Sequence, residues 1–357
     1  MAKTTKRKGA NLNEIASRCN LSVMTVSRAL RNDPYVASGT RQQVLETARK
    51  LNYIPLGRRY LANKTAAKHY SILFQEDSSM KDGFFGDVIR SIQHELSDSG
   101  AICSFDIIKE NFEDFLKLDN TLISSGLDGL LVVGAVPPAY LNTLLQQFPA
   151  LVLVDNPGGP EISRPYNAVA CDNQFGSSLA IRHLLGLGRK RILLICGNPK
   201  HYFSRELING YRNTLLENGV EFDEKLILFD NFHIEGGYEV AKRALESGLE
   251  FDAVFSNDEM AFGAMKALKE KGVKVPDDAS VVGFDNLAIA KNANPPLTTI
   301  AVDREKIGAV AAKRLLSIVN NTEERFEKIV LFPELIIRES CGFKKKGGDV
   351  KIVNNEL

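Results

Sequence analysis

The chain has 357 residues, 44% hydrophobic and 25% charged, an ordinary globular composition with length enough for more than one core. That balance excludes a disordered, collagenous or coiled-coil chain, and no apolar run of roughly 18 residues is present to span a bilayer. The formal net charge of +1 hides a division, because residues 1–69 hold 14 basic against 3 acidic side chains and residues 70–357 hold 31 against 41.

A small basic module is therefore joined to a large acidic one. The first suits a polyphosphate strand and the second is repelled by it, which orients the molecule on a nucleic acid. The plainer alternative is a basic tail kept for solubility. Lys3, Lys6, Arg7 and Lys8 give the N-terminus the charge of a signal peptide, but no apolar core follows, which predicts a cytoplasmic protein. The five cysteines (Cys19, Cys103, Cys171, Cys196, Cys341) form no CxxC pair and have no His partner at metal spacing, so neither a disulfide framework nor a zinc site is indicated.

In chain order, Asn11 with Glu14 reads as a capping-box start, and Leu12, Ile15, Ala16 and Cys19 recur at helical spacing. Asn20 tolerates the left-handed conformation of a sharp turn, and Ser22 can cap a second helix over 23–30 with Val26, Ala29 and Leu30 inward. Val23, Met24 and Arg28 then face outward. A third helix is expected over 40–51, ended by Asn52 and Pro55. In a helix-turn-helix the second helix enters the major groove: Val23 and Met24 suit thymine methyls, Arg28 suits guanine, and Thr25 and Ser27 suit phosphates. The alternative is a compact three-helix unit with Met24 on a solvated face.

The run LNEIASRCNLSVMTVSRAL (12–30), followed by VASGTRQQVLETARKLNYIP (36–55), resembles the headpiece of the LacI/GalR family of bacterial transcriptional regulators. TVSRAL and LNYIP carry the likeness. The resemblance implies a hinge over 58–69 that orders on specific DNA and wedges a leucine into the minor groove, for which Leu61 is the candidate. Leu61 stands six residues after Pro55, one fewer than the family spacing, so either the hinge is re-registered or another residue inserts.

From Ser71 onward short apolar runs alternate with amphipathic helices, the pattern of βαβ units. SILF (71–74), ICSFDI (102–107), DGLLVVG (128–134) and ALVLVDN (150–156) form one series. RILLICG (191–197), DAVFSND (252–258) and SVVGFDN (280–286) form a second. Two similar subdomains with a cleft between them are expected, with ligands bound beyond the carboxyl ends of the strands, where Asp155, Asn257, Asp258 and Asp285 stand. Asp258 reads equally well as a helix cap, and a lone Phe is more often core than platform.

The family resemblance extends through SNDEMAFGAMKALKEKGVKVPDDASVVGFDN to PPLTTI. It implies an all-α helix-turn-helix headpiece (1–57) and an α/β periplasmic-binding-protein-like effector module of two doubly wound parallel-sheet subdomains (70–342). The implied lobes are about 70–171 with 303–331 and about 172–301 with 332–342, followed by a tail, 343–357, expected to be disordered. Carried over singly, the implied ligand contacts are Phe84, Phe85, Asp155, Phe232, Asn257 and Asp285. The family's RxxG arginine is absent, since Leu207 precedes Gly210 at that spacing, and Arg205 is the nearest substitute. The implied partners are palindromic operator DNA, a small-molecule effector, most simply a carbohydrate, and a second copy of the chain. A purine-like ligand or none is the alternative. No cofactor, metal or catalytic residue is expected: GxSxG, GxxxxGK[ST] and HExxH are absent, and the five histidines are scattered. An exported sugar-binding protein shares the bilobal fold, but would carry an export signal and no basic headpiece.

Overall fold

A computed structural model describes residues 12–30, 36–51, 67–75, 84–108, 125–320, 325–343 and 350–352. The chain divides into two compact units, one of residues 1–68 with 119–127 and the other of residues 69–118 with 128–357.

The first unit contains α1 (Leu12–Cys19), α2 (Val23–Leu30) and α3 (Ser38–Lys50). Asn20 takes the turn between α1 and α2 at φ 54°, in the left-handed region that asparagine tolerates better than most residues. The Leu21 amide closes the turn on the Ala16 carbonyl at 3.0 Å. Ser22 caps α2, its hydroxyl accepting from the Thr25 amide at 3.0 Å. Ile15, Val26 and Val44, one from each helix, are fully buried and meet in a single small core with Ala16 and Ala29, whose size lets the helices approach closely. The third helix begins at Ser38, a turn fragment earlier than periodicity indicates, because Val36 is buried and its carbonyl accepts from Arg41 at 3.0 Å. The expected roles of Asn11, Asn52, Pro55 and Leu61 lie outside the described residues.

The second unit opens with β1 (His69–Gln75), α4 (Phe84–Asp98), β2 (Ile102–Ile108), β3 (Gly129–Val133), α5 (Pro138–Gln147), β4 (Leu151–Val154) and β5 (Asn167–Cys171). The chain continues through α6 (Asn173–Gly186), β6 (Ile192–Cys196), α7 (Tyr202–Glu217), β7 (Ile227–Phe229), α8 (Ile234–Glu246), β8 (Ala253–Phe255), α9 (Asp258–Glu270), β9 (Ser280–Asp285) and β10 (Thr298–Ala301). It ends in α10 (Arg304–Val319), β11 (Lys328–Leu331), β12 (Glu334–Ile337) and β13 (Val350–Ile352). One sheet runs β11-β5-β4-β3-β1-β2 with every described pairing parallel. The other runs β13-β12-β10-β9-β8-β6-β7, parallel from β10 to β7. Its last two strands, β12 and β13, are antiparallel additions. Central strands such as β3, β4 and β6 are buried along their whole length, as strands covered on both faces must be.

The chain passes between the sheets three times, from β5 to α6, from β10 to α10 and from β11 to β12. The first two crossings open helices capped by aspartates: Asp172 accepts from the Phe175 amide at 2.8 Å and Asp303 from the Lys306 amide at 3.0 Å. Helix α10 returns to pack on α4, and it does so closely because Gly308 has no side chain. A Cβ there would stand 2.4 Å from the Val88 carbonyl oxygen. β13 corrects the expectation of a disordered tail. Residues 350–352 pair with β12 in the register Leu335↔Ile352 to Ile337↔Val350, so an edge that would otherwise present unpaired backbone groups is covered by the returning chain. Among the described residues no helix is long and apolar enough to cross a membrane, and all five cysteines are free thiols.

Candidate functional site

On the first unit, the sequence-based contacts lie where α2 presents its outer face. Val23 is 41% and Met24 66% exposed, although both are apolar and precede the buried Val26. Arg28 is exposed, and Thr25 and Ser27 are half-buried. The Thr25 hydroxyl lies 2.8 Å from that of Ser22, so the two hydroxyls sit together at the N-terminus of the helix, where its unpaired amides favour an anion. Apolar tips, an arginine and a hydroxylated N-terminus on one short helix form a surface that can read base edges and grip phosphates.

On the second unit, a cleft continuous with solvent opens beyond the carboxyl ends of the strands of both sheets. Six of the seven candidate ligand residues line it: Phe84, Phe85, Asp155, Phe232, Asn257 and Asp285. Arg205 does not. It is exposed on α7 and donates to the Lys200 carbonyl at 3.2 Å, because α7 turns Leu207 and Glu206 inward on either side of Asn173 and Ser177. The expected substitute arginine is thus not among the residues that line the cleft.

The first sheet contributes an aromatic wall and a carboxylate. Phe84 and Phe85 open α4 and meet edge to face, with ring centroids 5.1 Å apart, and Phe85 makes the same contact with Phe74 of β1. Asp155 follows β4 at φ 49°, a left-handed conformation that turns its side chain out of the strand. It is almost fully buried, and burial pushes its carboxyl up to about 7, against the lowering effect of the Tyr202 hydroxyl and with the Glu206 charge adding to the rise. Tyr202, on α7 of the other lobe, donates to the Asp155 carbonyl and stands 3.1 Å from its carboxylate.

The second sheet supplies the opposite wall. Phe232 lies flat against Gly197, where a Cβ would stand 2.4 Å from the ring, and His201 meets that ring edge to face at 5.0 Å. Asn257 caps α9 and also holds the Phe232 segment, its amide donating to the Phe232 carbonyl at 3.0 Å and its oxygen accepting from the Met260 amide at 3.3 Å. The capping role weighed for Asp258 therefore belongs to Asn257. Asp258 is fully buried instead and accepts from the Thr299 hydroxyl at 2.5 Å and the Leu287 amide at 2.7 Å. Burial pushes this carboxyl too up to about 7.

Asp258 thereby fixes the segment after β9. That segment carries Asp285 at φ 111° and Asn286 at φ 52°, a strained pair for residues with side chains. The Asp285 carbonyl accepts from Arg304, at the start of α10, whose Nε also bonds the Asp87 carboxylate at 3.0 Å. The two lobes are thus joined across the cleft by Tyr202 on Asp155 and by Arg304 on Asp285. Sequence reading missed Tyr202, His201, Asn173 and Glu259, all of which line the cleft. The run HYF at 201–203 was the available signal, an aromatic cluster just past the end of a strand.

Residues 11–55 match the family described as "Bacterial regulatory proteins, lacI family", and residues 181–341 match a "Periplasmic binding protein-like domain". The chain is 30% identical over 336 residues to the HTH-type transcriptional repressor PurR of Histophilus somni, covering 93% of this chain and 98% of that protein. It is 29% identical over 337 residues to the HTH-type transcriptional regulator DegA of Bacillus subtilis, covering 92% and 96%. A solved structure, a complex of the transcriptional regulator CelR with cellobiose, superposes with a TM-score of 0.72 at 25% identity, covering 93% of this chain and 99% of the other.

Proposed function

The chain belongs to the lacI family of bacterial regulatory proteins, DNA-binding transcription regulators rather than enzymes, and we propose that it is a cytoplasmic homodimeric repressor controlled by a small polar effector held between its lobes. Each headpiece sets α2 in the major groove of one half of a palindromic operator. Val23 and Met24 read thymine methyls, Arg28 reads a guanine, and Thr25 and Ser27 hold phosphates. Two copies are needed because one such helix reads only a few base pairs. Leu61 is assigned as the minor-groove wedge on the sequence resemblance alone.

The observation that supports an effector most directly is the convergence in one cleft of Phe84, Asp155, Phe232 and Asp285, brought from four separate strand ends. Carboxylates and an amide suit sugar hydroxyls, and aromatic faces suit the apolar face of a sugar ring, so a sugar or sugar derivative is the ligand class proposed. The cellobiose in the CelR complex agrees with this reading. The same aromatic walls suit a planar base, which makes a purine-like ligand the second reading.

A ligand that touches both lobes competes with or reinforces the Tyr202–Asp155 and Arg304–Asp285 bonds and so sets the angle between lobes joined by three crossings. Coupling of this kind amounts to about 1–3 kcal/mol, roughly 5–150-fold in operator affinity. The test begins with in vitro selection of the operator from random DNA. Thermal denaturation is then followed with a panel of monosaccharides, disaccharides, sugar phosphates and purines, where a ligand at about 100 times its Kd adds ~2.7 kcal/mol. Operator titrations with and without each hit complete it. A selected palindrome and a hit that changes operator affinity are expected. Failure to enrich any DNA sequence removes the repressor reading, and a hit that leaves operator affinity unchanged removes the effector reading.

A further inference from the structure

The charge of the cleft is one-sided. Asp155, Glu259 and Asp285 line it, Glu259 paired with His233 at 3.4 Å, and Glu206 stands just behind Asn173, whose amide donates to it at 2.7 Å. Among the described residues no Lys or Arg lines the cleft. Two neighbouring arginines are held by protein groups. Arg205 is exposed and held by a backbone carbonyl. Arg304 sits against Phe84, its guanidinium 5.8 Å from the ring centroid, and is engaged by Asp87 and by the Asp285 carbonyl. Leu207 is buried in the hydrophobic core.

Asp155 is the most enclosed of these carboxylates, and its described side-chain partner is a neutral phenol, Tyr202, at 3.1 Å. A carboxylate buried in this way gains most from a ligand that brings a positive charge. The walls beside it are aromatic, and a cation packed against Phe85 or Phe232 is attracted by the ring, as Arg304 is by Phe84. A phosphate or a carboxylate brought into the same space would meet the carboxyl groups of Asp155 and Asp285. Resting on the effector reading above, we infer that the ligand of this cleft carries a protonated amine, an amino sugar in preference to its neutral or anionic counterparts, with Asp155 receiving the ammonium group.

Sugars of one ring stereochemistry that carry no charge, an amine at C2 or an anionic group at C6 test this on the full chain: glucose, glucosamine, glucuronate and glucose 6-phosphate, with galactose, galactosamine and galacturonate beside them. Isothermal titration is expected to give an amine member that binds at least about tenfold more tightly than its neutral twin, while the anionic members bind most weakly. Asp155→Asn, which keeps the shape and removes the charge, abolishes that preference, and Asp285→Asn reduces it without abolishing it. Because the charge series is read first on the unaltered protein, the inference does not depend on either variant folding. A neutral or anionic sugar that binds as tightly as its amine twin overturns the inference. If the same sugar shifts operator affinity, the effector reading survives it. A purine that binds while every sugar fails overturns both the sugar class and the amine, as does a panel in which nothing binds.

Discussion

The headpiece and the cleft use electrostatics in opposite regimes. On α2 the working groups are exposed: Met24 is 66% accessible and Arg28 lies on the surface, so charge there acts through water and is screened by salt. At the cleft Asp155 is buried, as is Asp258 at the start of α9, and each is pushed up to about 7 by the loss of water. A surface of that first kind can bind a polyanion quickly and release it on a modest signal. A site of the second kind discriminates between small ligands, because a buried group left without a suitable partner is heavily penalised. The protein keeps the two in separate compact units.

The largest expected effect tests that separation. Ile15→Ala opens a cavity in the small core of the headpiece, where Ile15 is fully buried, and should cost about 2–5 kcal/mol. Calorimetry should show DNA binding lost while the main thermal transition, that of the cleft unit, stays in place. A displaced main transition would mean that the two units unfold as one. Gly197→Ala probes the cleft in the same way, since the new methyl collides with Phe232; overpacking of this kind costs about 1–3 kcal/mol, and effector affinity should fall while operator affinity without effector is kept. Unchanged effector binding would remove Phe232 from the site.

Arg28→Ala sharpens the description of the exposed side. A guanine contact predicts a loss of about 1–3 kcal/mol on the selected operator and little on random DNA, whereas equal losses on both would make Arg28 a phosphate contact. The smallest effect concerns the buried side. A carboxyl raised in the folded state stabilises it fully at acid pH and loses that contribution as pH rises from the ordinary aspartate range towards about 7. Asp155→Asn should therefore flatten the decline of stability between about pH 4 and 7 without abolishing it, because Asp258 contributes the same slope. His183, buried and lowered to about 4, works the other way in both proteins and cancels in the comparison. Chemical denaturation of both across that range checks this, and parallel pH profiles would show that Asp155 does not carry the shift.

The sequence by itself determined the elements and much of their arrangement, because the signals are local. Helical spacing of Ile15, Ala16 and Cys19, a turn at Asn20 and a capping Ser22 lie within a dozen residues, and each acts on its own stretch of backbone. The alternation of apolar runs with amphipathic helices likewise announced two α/β subdomains. Strand ends could be picked out, which is why Asp155, Asn257 and Asp285 were legible as cleft residues. The tertiary structure alone decided what those residues do. Whether a strand-end side chain caps a helix, binds backbone or faces the cleft depends on partners far along the chain. Asn257 and Asp258 are neighbours, yet one holds Phe232 and the other binds Thr299 and Leu287. Arg205 stands outside the cleft lining because helix phase fixes which side chains of α7 turn inward, and Tyr202 lines it because its reach to Asp155 spans 47 residues and two lobes. The strand at 350–352 was hidden for the same reason: three residues, Val350, Lys351 and Ile352, are too few to show a pattern, and pairing with the edge of β12 makes them a strand.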